Sequence, residues 1–148
     1  MNINKNKNIG FTLVELLVVI SIIGILLALS FASIQGIRKS SRDAKRKSDL
    51  ETIRSALELY RADCKVYPSA VNSGGSITGV EESCVGIEYL EIVPEDPIPD
   101  RAYQYVSSDP YTSYLLCSSL EAVDSGGVNP LCSGCGVGDN CEYLVKNP

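Results

Sequence analysis

The stretch Gly10-Phe11-Thr12-Leu13-Val14-Glu15, continuing as LLVVISIIGILLALSFA to Ala32, decides how this chain is built. From Phe11 onward it is almost continuously apolar, interrupted by Thr12, Glu15, Ser21, Gly24 and Ser30. About 20 such residues cross the hydrocarbon of a bilayer once as a helix. The β-branched members are modest helix formers in water, but in lipid the backbone must satisfy its own polar groups and helix is the default. A membrane helix is therefore predicted. A secretory signal peptide instead places a shorter apolar core ahead of a small-residue cleavage site. Here the plausible cut, between Gly10 and Phe11, precedes the apolar run, which stays with the mature chain.

Glu15 is out of place in such a segment. An ionisable group there costs roughly 2.5–3.5 kcal/mol if central and less near an end. A cut after Gly10 turns Phe11 into an α-amine, and that amine on a neighbouring copy would offset the cost and register the next subunit. The plain alternative is that Glu15 snorkels to the interface.

Outward from this segment, residues 1–10 are short, polar and basic through Lys5 and Lys7. Between Ser33 and Asp63 there is no proline, and Gly36 is the one glycine. Leu50, Ile53, Leu57 and Tyr60, with Ala56, recur at helical spacing and define an apolar face. Arg38–Asp49 (RKSSRDAKRKSD) is nearly all polar and reads as a solvated neck. One helix is predicted from Phe11 to about Arg61, on the order of 75 Å long. Pro68 then stops it. Val71–Ser83 and Ser125–Asn140 read as loops, Tyr89–Val93 as a short apolar segment, and Pro94-Glu95-Asp96-Pro97-Ile98-Pro99 as a corner. Ala102–Val106, Ser113–Ser118 and Glu142–Lys146 read as strands. The fold class is α+β: a long amino-terminal transmembrane helix bearing a small antiparallel β-sheet head. Its parts are a leader (1–10), a membrane and assembly helix (11–33), an amphipathic stem (34–62) and a cysteine-rich head (63–148).

Charge follows the same division. Residues 1–62 carry ten Lys/Arg against five Asp/Glu, and residues 63–148 carry three against thirteen. An acidic head is unsuited to nucleic acid, whose phosphates need Lys and Arg. The chain has no histidine, which removes His-based triads and His metal sites and argues against an enzyme. All six cysteines, Cys64, Cys84, Cys117, Cys132, Cys135 and Cys141, fall in the head. An even number in a small loop-rich region points to disulfides and an extracytoplasmic compartment, with the pairing open among 15 connectivities. Cys132-Ser133-Gly134-Cys135 is also a CxxC. It leaves a second function class in view, a solitary membrane-anchored thiol or metal-binding protein that uses these cysteines with Cys117 and Cys141.

The Gly10–Glu15 motif and the helix after it resemble the prepilin signature of type IV pilins and type II secretion pseudopilins. The resemblance implies that Gly10 and Phe11 are processing positions, cut by a membrane prepilin peptidase and N-methylated at Phe11, and that Glu15 serves assembly. It implies a structural subunit of a pilus-like filament or secretion pseudopilus, homo- or hetero-oligomeric, built by an assembly platform that a separate ATPase drives. The precursor would sit in the inner membrane as a single-pass protein with its head extracytoplasmic, and the filament at the cell surface or in the periplasm. Relatives commonly unwind near the position of Gly24, and many carry proline where this chain has Ala32. In the head, Leu57-Glu58-Leu59-Tyr60, Tyr67-Pro68, Tyr89-Leu90, Pro94-Glu95-Asp96-Pro97 and Tyr103-Gln104-Tyr105 are similar in order to major pseudopilins. Those proteins bind calcium near the end of their sheet. Glu121, Asp124 and Asp139 are the corresponding candidate ligands here, against a reading as carboxylates on a solvated loop. The cysteine-rich Gly126–Cys141 stretch departs from that loop. The basic cluster Arg38, Lys39, Arg42, Lys45, Arg46 and Lys47 opposes the proposed orientation, since positive residues beside a membrane helix usually stay cytoplasmic.

Overall fold

The computed structural model describes residues 10–122, 132–136 and 141–147. Helix α1 spans Leu13–Cys64, three residues beyond the predicted end. It stops because Lys65 turns left-handed (φ 69°), its N–H donating to the Arg61 carbonyl at 2.9 Å, a left-handed C-terminal cap. Lys65 Nζ also donates to the Ala62 carbonyl at 2.7 Å. The chain divides into two compact units, one ending at Arg38 and one beginning at Lys39.

In the first unit, every described side chain from Gly10 to Phe31 is exposed. Its most apolar 18-residue window has a mean hydropathy of 2.8 and buries nothing, so length and composition suit a membrane crossing. The Ser21 and Ser30 hydroxyls donate to the carbonyls of Leu17 (2.7 Å) and Leu26 (2.9 Å). These are the bonds that hydroxyls need where no water reaches.

The second unit packs two small sheets on the end of α1. Strands β1 (Ile77–Thr78) and β2 (Glu88–Leu90) form an antiparallel pair, and β3 (Gln104–Ser107), β4 (Tyr114–Ser118) and β5 (Tyr143–Lys146) form an antiparallel sheet with β4 central. Each of the three strands in the second sheet starts one or two residues later than predicted. β1 lies within a stretch expected to be loop.

Strand alternation gives that sheet two apolar faces. Tyr105, Tyr114, Leu116, Tyr143 and Val145 meet the predicted stem stripe of Leu50, Ile53, Ala56, Leu57 and Tyr60 in one core, closed by Tyr67, Ile77, Val93 and Tyr103. Leu115, Cys117 and Leu144 point the other way, into a cluster with Cys132, Cys135 and Cys141. The disulfides are Cys64–Cys84, Cys117–Cys132 and Cys135–Cys141, with Cα separations of 5.3, 6.3 and 5.6 Å. The first ties the end of α1 to the loop between β1 and β2; the other two roof the far face of the sheet. Gly79 lets that first loop close, since a Cβ there would overlap the Cys84 backbone carbonyl.

Neighbouring leucines on α1 separate core from surface. Leu57 is wholly buried and Leu59 is 60% exposed. Leu57→Ala is expected to lower unfolding free energy by about 2–5 kcal/mol, and Leu59→Ala by no more than about 0.5 kcal/mol. Denaturant titration of the full chain in detergent reads both.

Candidate functional site

Two groups of residues carry chemistry beyond packing, and each lies within one unit. In the first, Thr12 and Glu15 form a capping box at the start of α1. The Glu15 carboxylate accepts at Oε2 from the Thr12 backbone N–H (2.9 Å) and from its hydroxyl (2.8 Å). The Glu15 N–H donates back to Thr12 Oγ1 at 3.3 Å. Oε1 accepts nothing among the described residues. A carboxylate at a helix N-terminus is favoured by the unpaired N–H groups there. Phe11 stands beside it, 86% exposed, and a Cβ at Gly10 would meet nothing. Gly10, Phe11 and Glu15 are thus together and open, and Thr12 joins them. The T-x-x-E spacing is the sequence signal for Thr12.

The second group is centred on Arg46, whose side chain is 0% exposed. Burial disfavours its charge, but hydrogen bonds to Asp96, Glu121 and Asp43 more than compensate and hold its pKa above the usual guanidinium range. Its Nε and Nη2 grip Asp96 as a fork (2.7 and 3.0 Å), while Nη1 donates to Asp43 Oδ1 (2.6 Å) and Glu121 Oε1 (2.9 Å). Arg42 adds a second fork onto Glu121 through Nε (2.7 Å) and Nη2 (2.5 Å). Asp43 also accepts the backbone N–H groups of Glu121 and Ala122. Asp96 accepts the N–H of Ile98. The helix, the Pro94–Pro99 corner and the segment after β4 are thereby joined at one point. Nearby, Tyr103 donates to Asp49 at 2.8 Å.

This corrects the reading of Arg38–Asp49 as a solvated neck. Asp43 and Arg46 are buried, because each finds opposite charge there and Asp43 also accepts fixed backbone N–H groups. A sequence signal does exist. Positions 43, 46, 50, 53, 57, 60 and 64 follow one 3-4 spacing, so the core stripe continues into the neck as charges.

The calcium candidates are divided. Both oxygens of Glu121 are engaged by arginine, and Arg42 draws its pKa down to about 2. Asp124 and Asp139 lie outside the described residues. Among the described residues no group of three or more His, Cys, Asp or Glu is placed to hold a metal ion. The two CxxC cysteines bond to different partners, Cys132 to Cys117 and Cys135 to Cys141, so the motif is not a dithiol pair and no described cysteine is free.

A family model described as the prokaryotic N-terminal methylation motif matches residues 5–31. A second, described as type II secretion system (T2SS) protein G, matches residues 33–129. The chain belongs to the protein G family. It is similar to type II secretion system core protein G of Klebsiella michiganensis, at 40% identity over 74% of this chain and 81% of the relative. It is likewise similar to the proteins of that name from Pseudomonas aeruginosa (34%, over 76% and 84%) and Dickeya chrysanthemi (31%, over 70% and 71%). Matches to the Pectobacterium carotovorum and Aeromonas hydrophila proteins span 60% and 46% of those relatives' lengths. No solved structure gives a significant match. The protein G match ends before Cys132, so half of the cysteines and all of β5 lie beyond it.

Two outcomes are expected of the ion-paired group. Arg46→Ala leaves three carboxylates facing one another and should destabilise the head by about 3–5 kcal/mol, read by denaturant titration. The folded-state pKa of Glu121 lies below its unfolded value. Its contribution is therefore present above about pH 4.5 and lost as pH falls toward about 2. Glu121→Gln should flatten the stability profile across that window.

Proposed function

We propose that this chain is a structural, non-enzymatic subunit of a secretion pseudopilus, cut after Gly10, N-methylated at Phe11 and assembled through its amino-terminal helix. The observation that carries this reading is the first part of α1, Leu13 to Phe31, exposed and apolar with Glu15 as its one charge just beyond a Gly–Phe junction. In a membrane the precursor holds Glu15 through Thr12. After cleavage the new amine of a neighbouring copy brings a full positive charge to the open Oε1 and outweighs a neutral capping partner. Three disulfides in the second unit support a head outside the cytoplasm, and the single apolar run supports a precursor that crosses the inner membrane once. The basic residues after the apolar run fit that orientation better than their number suggests, because Arg42 and Arg46 are neutralised within the head. A membrane-embedded peptidase and an ATP-driven assembly platform are the partners this reading requires.

No cofactor is needed in this account. Arg42 and Arg46 supply at Glu121 the positive charge that a cation would otherwise bring. Chelation by EDTA is expected to leave the melting temperature of the full chain unchanged; a fall of several degrees reversed by calcium would restore the metal reading.

Processing and assembly should separate genetically. Glu15→Leu is expected to be trimmed as completely as the unaltered chain but to yield at least about tenfold less sheared filament. Replacing Gly10 with a bulky residue should block trimming itself. Normal filament yield from Glu15→Leu would remove Glu15 from assembly.

A further inference from the structure

The second unit carries two unpaired surfaces of opposite charge at opposite ends of its helical segment. One is the loop from Gly79 to Ile87. Its base is anchored to the end of α1 by the Cys64–Cys84 bond, by Ser83 Oγ donating to the Asp63 carbonyl (3.0 Å) and by the Tyr89 hydroxyl donating to Asp63 Oδ2 (3.0 Å). Its surface is apolar and acidic together. Val80, Val85 and Ile87 are exposed, at 71, 67 and 45%, and Glu81, Glu82 and Glu88 are exposed beside them. The other surface is at the start of the unit, where Lys39 and Lys45 are exposed. None of these five charges takes part in an ion pair among the described residues. Lys47 is set apart, lying over the Tyr143 ring at 5.5 Å.

The two surfaces are separated along the helix by 18 residues from Lys45 to Asp63, roughly 27 Å. They cannot meet within one copy. A second copy displaced along the same axis brings one against the other, and the contact is heterologous. Its two sides differ, so each copy keeps one side open and the contact repeats without closing unless a rotation closes it into a ring. We propose that the Gly79–Ile87 loop of one subunit docks on the Lys39–Lys45 neck of another copy of this chain, with Glu81 and Glu82 facing the two lysines. Exposed ion pairs are individually weak. Their placement fixes register and rejects wrong neighbours, because like charges in contact are costly. The exposed valines and isoleucine give the contact its apolar part.

This rests on the pseudopilus reading, and the test keeps the two apart. The full chain is expressed in a host that assembles its pseudopilus, and sheared filament is measured by immunoblot. Lys39→Glu with Lys45→Glu should lower the yield at least about tenfold, as should Glu81→Lys with Glu82→Lys. The four changes together should restore it to within about threefold. Intact disulfides and an unchanged melting temperature verify that each variant folds. In a second measurement, filaments of the unaltered chain should loosen as salt rises toward about 1 M, where screening shortens to about 3 Å. Reversals that leave the yield unaltered, a combination no better than either pair, or salt-indifferent filaments would each overturn the docking while leaving the pseudopilus reading intact. Absence of filament from the unaltered chain would overturn both.

Discussion

Between Phe11 and Phe31 the helix presents side chains that water rejects and that the chain itself leaves uncovered. At about 1.5–3 kcal/mol for each large aliphatic residue, that surface demands lipid or other helices. The polar groups of the segment are arranged to meet that demand. Serine hydroxyls turn back to their own carbonyls. The one carboxylate folds onto Thr12 at the helix start, and its second oxygen has no partner among the described residues. On the proposed pseudopilus reading, assembly exchanges lipid neighbours for helix neighbours along this surface.

The head solves a different problem. Its core is built from the end of one helix and two small sheets, and cross-links reinforce it. Disulfides are one kind, and here two of the three cover the face of the sheet that turns away from the stem while Cys64–Cys84 ties the end of α1 to the β1–β2 loop. The Arg46 cluster is another. It joins segments that no strand pairing connects, drawing the corner at Asp96 and the chain at Glu121 onto the helix. Buried ion pairs contribute little net stability compared with well-packed apolar groups, but losing one partner is severe. Arg46 therefore acts more as a specifier of where the corner and the post-β4 chain must sit than as a source of raw stability.

Much of this is legible in the residues. The apolar run, the stem stripe at Leu50, Ile53, Leu57 and Tyr60, and the sense of a helix followed by a small sheet all rest on periodicity, which is local. The end of α1 falls three residues later than expected because Lys65, not Pro68, makes the left-handed turn, and lysine carries no strong signal for it. Strand β1 has no sequence signature because two residues in a Gly- and Ser-rich stretch show no alternation. The disulfide pairing and the Asp96 and Glu121 contacts join residues far apart in sequence, and no local pattern contains them. Asp43 and Arg46 are visible as charges but not as core, since charge normally means surface; only their 3-4 register with the apolar stripe gives them away.

The proposed processing frees the amino-terminal segment at Phe11 for filament assembly. It is tested most directly by intact mass and amino-terminal sequencing of the protein extracted from native membranes. A chain beginning at N-methylated Phe11 is the result this account requires. A chain retaining Met1 and the residues through Gly10, in cells with an active peptidase, would contradict it.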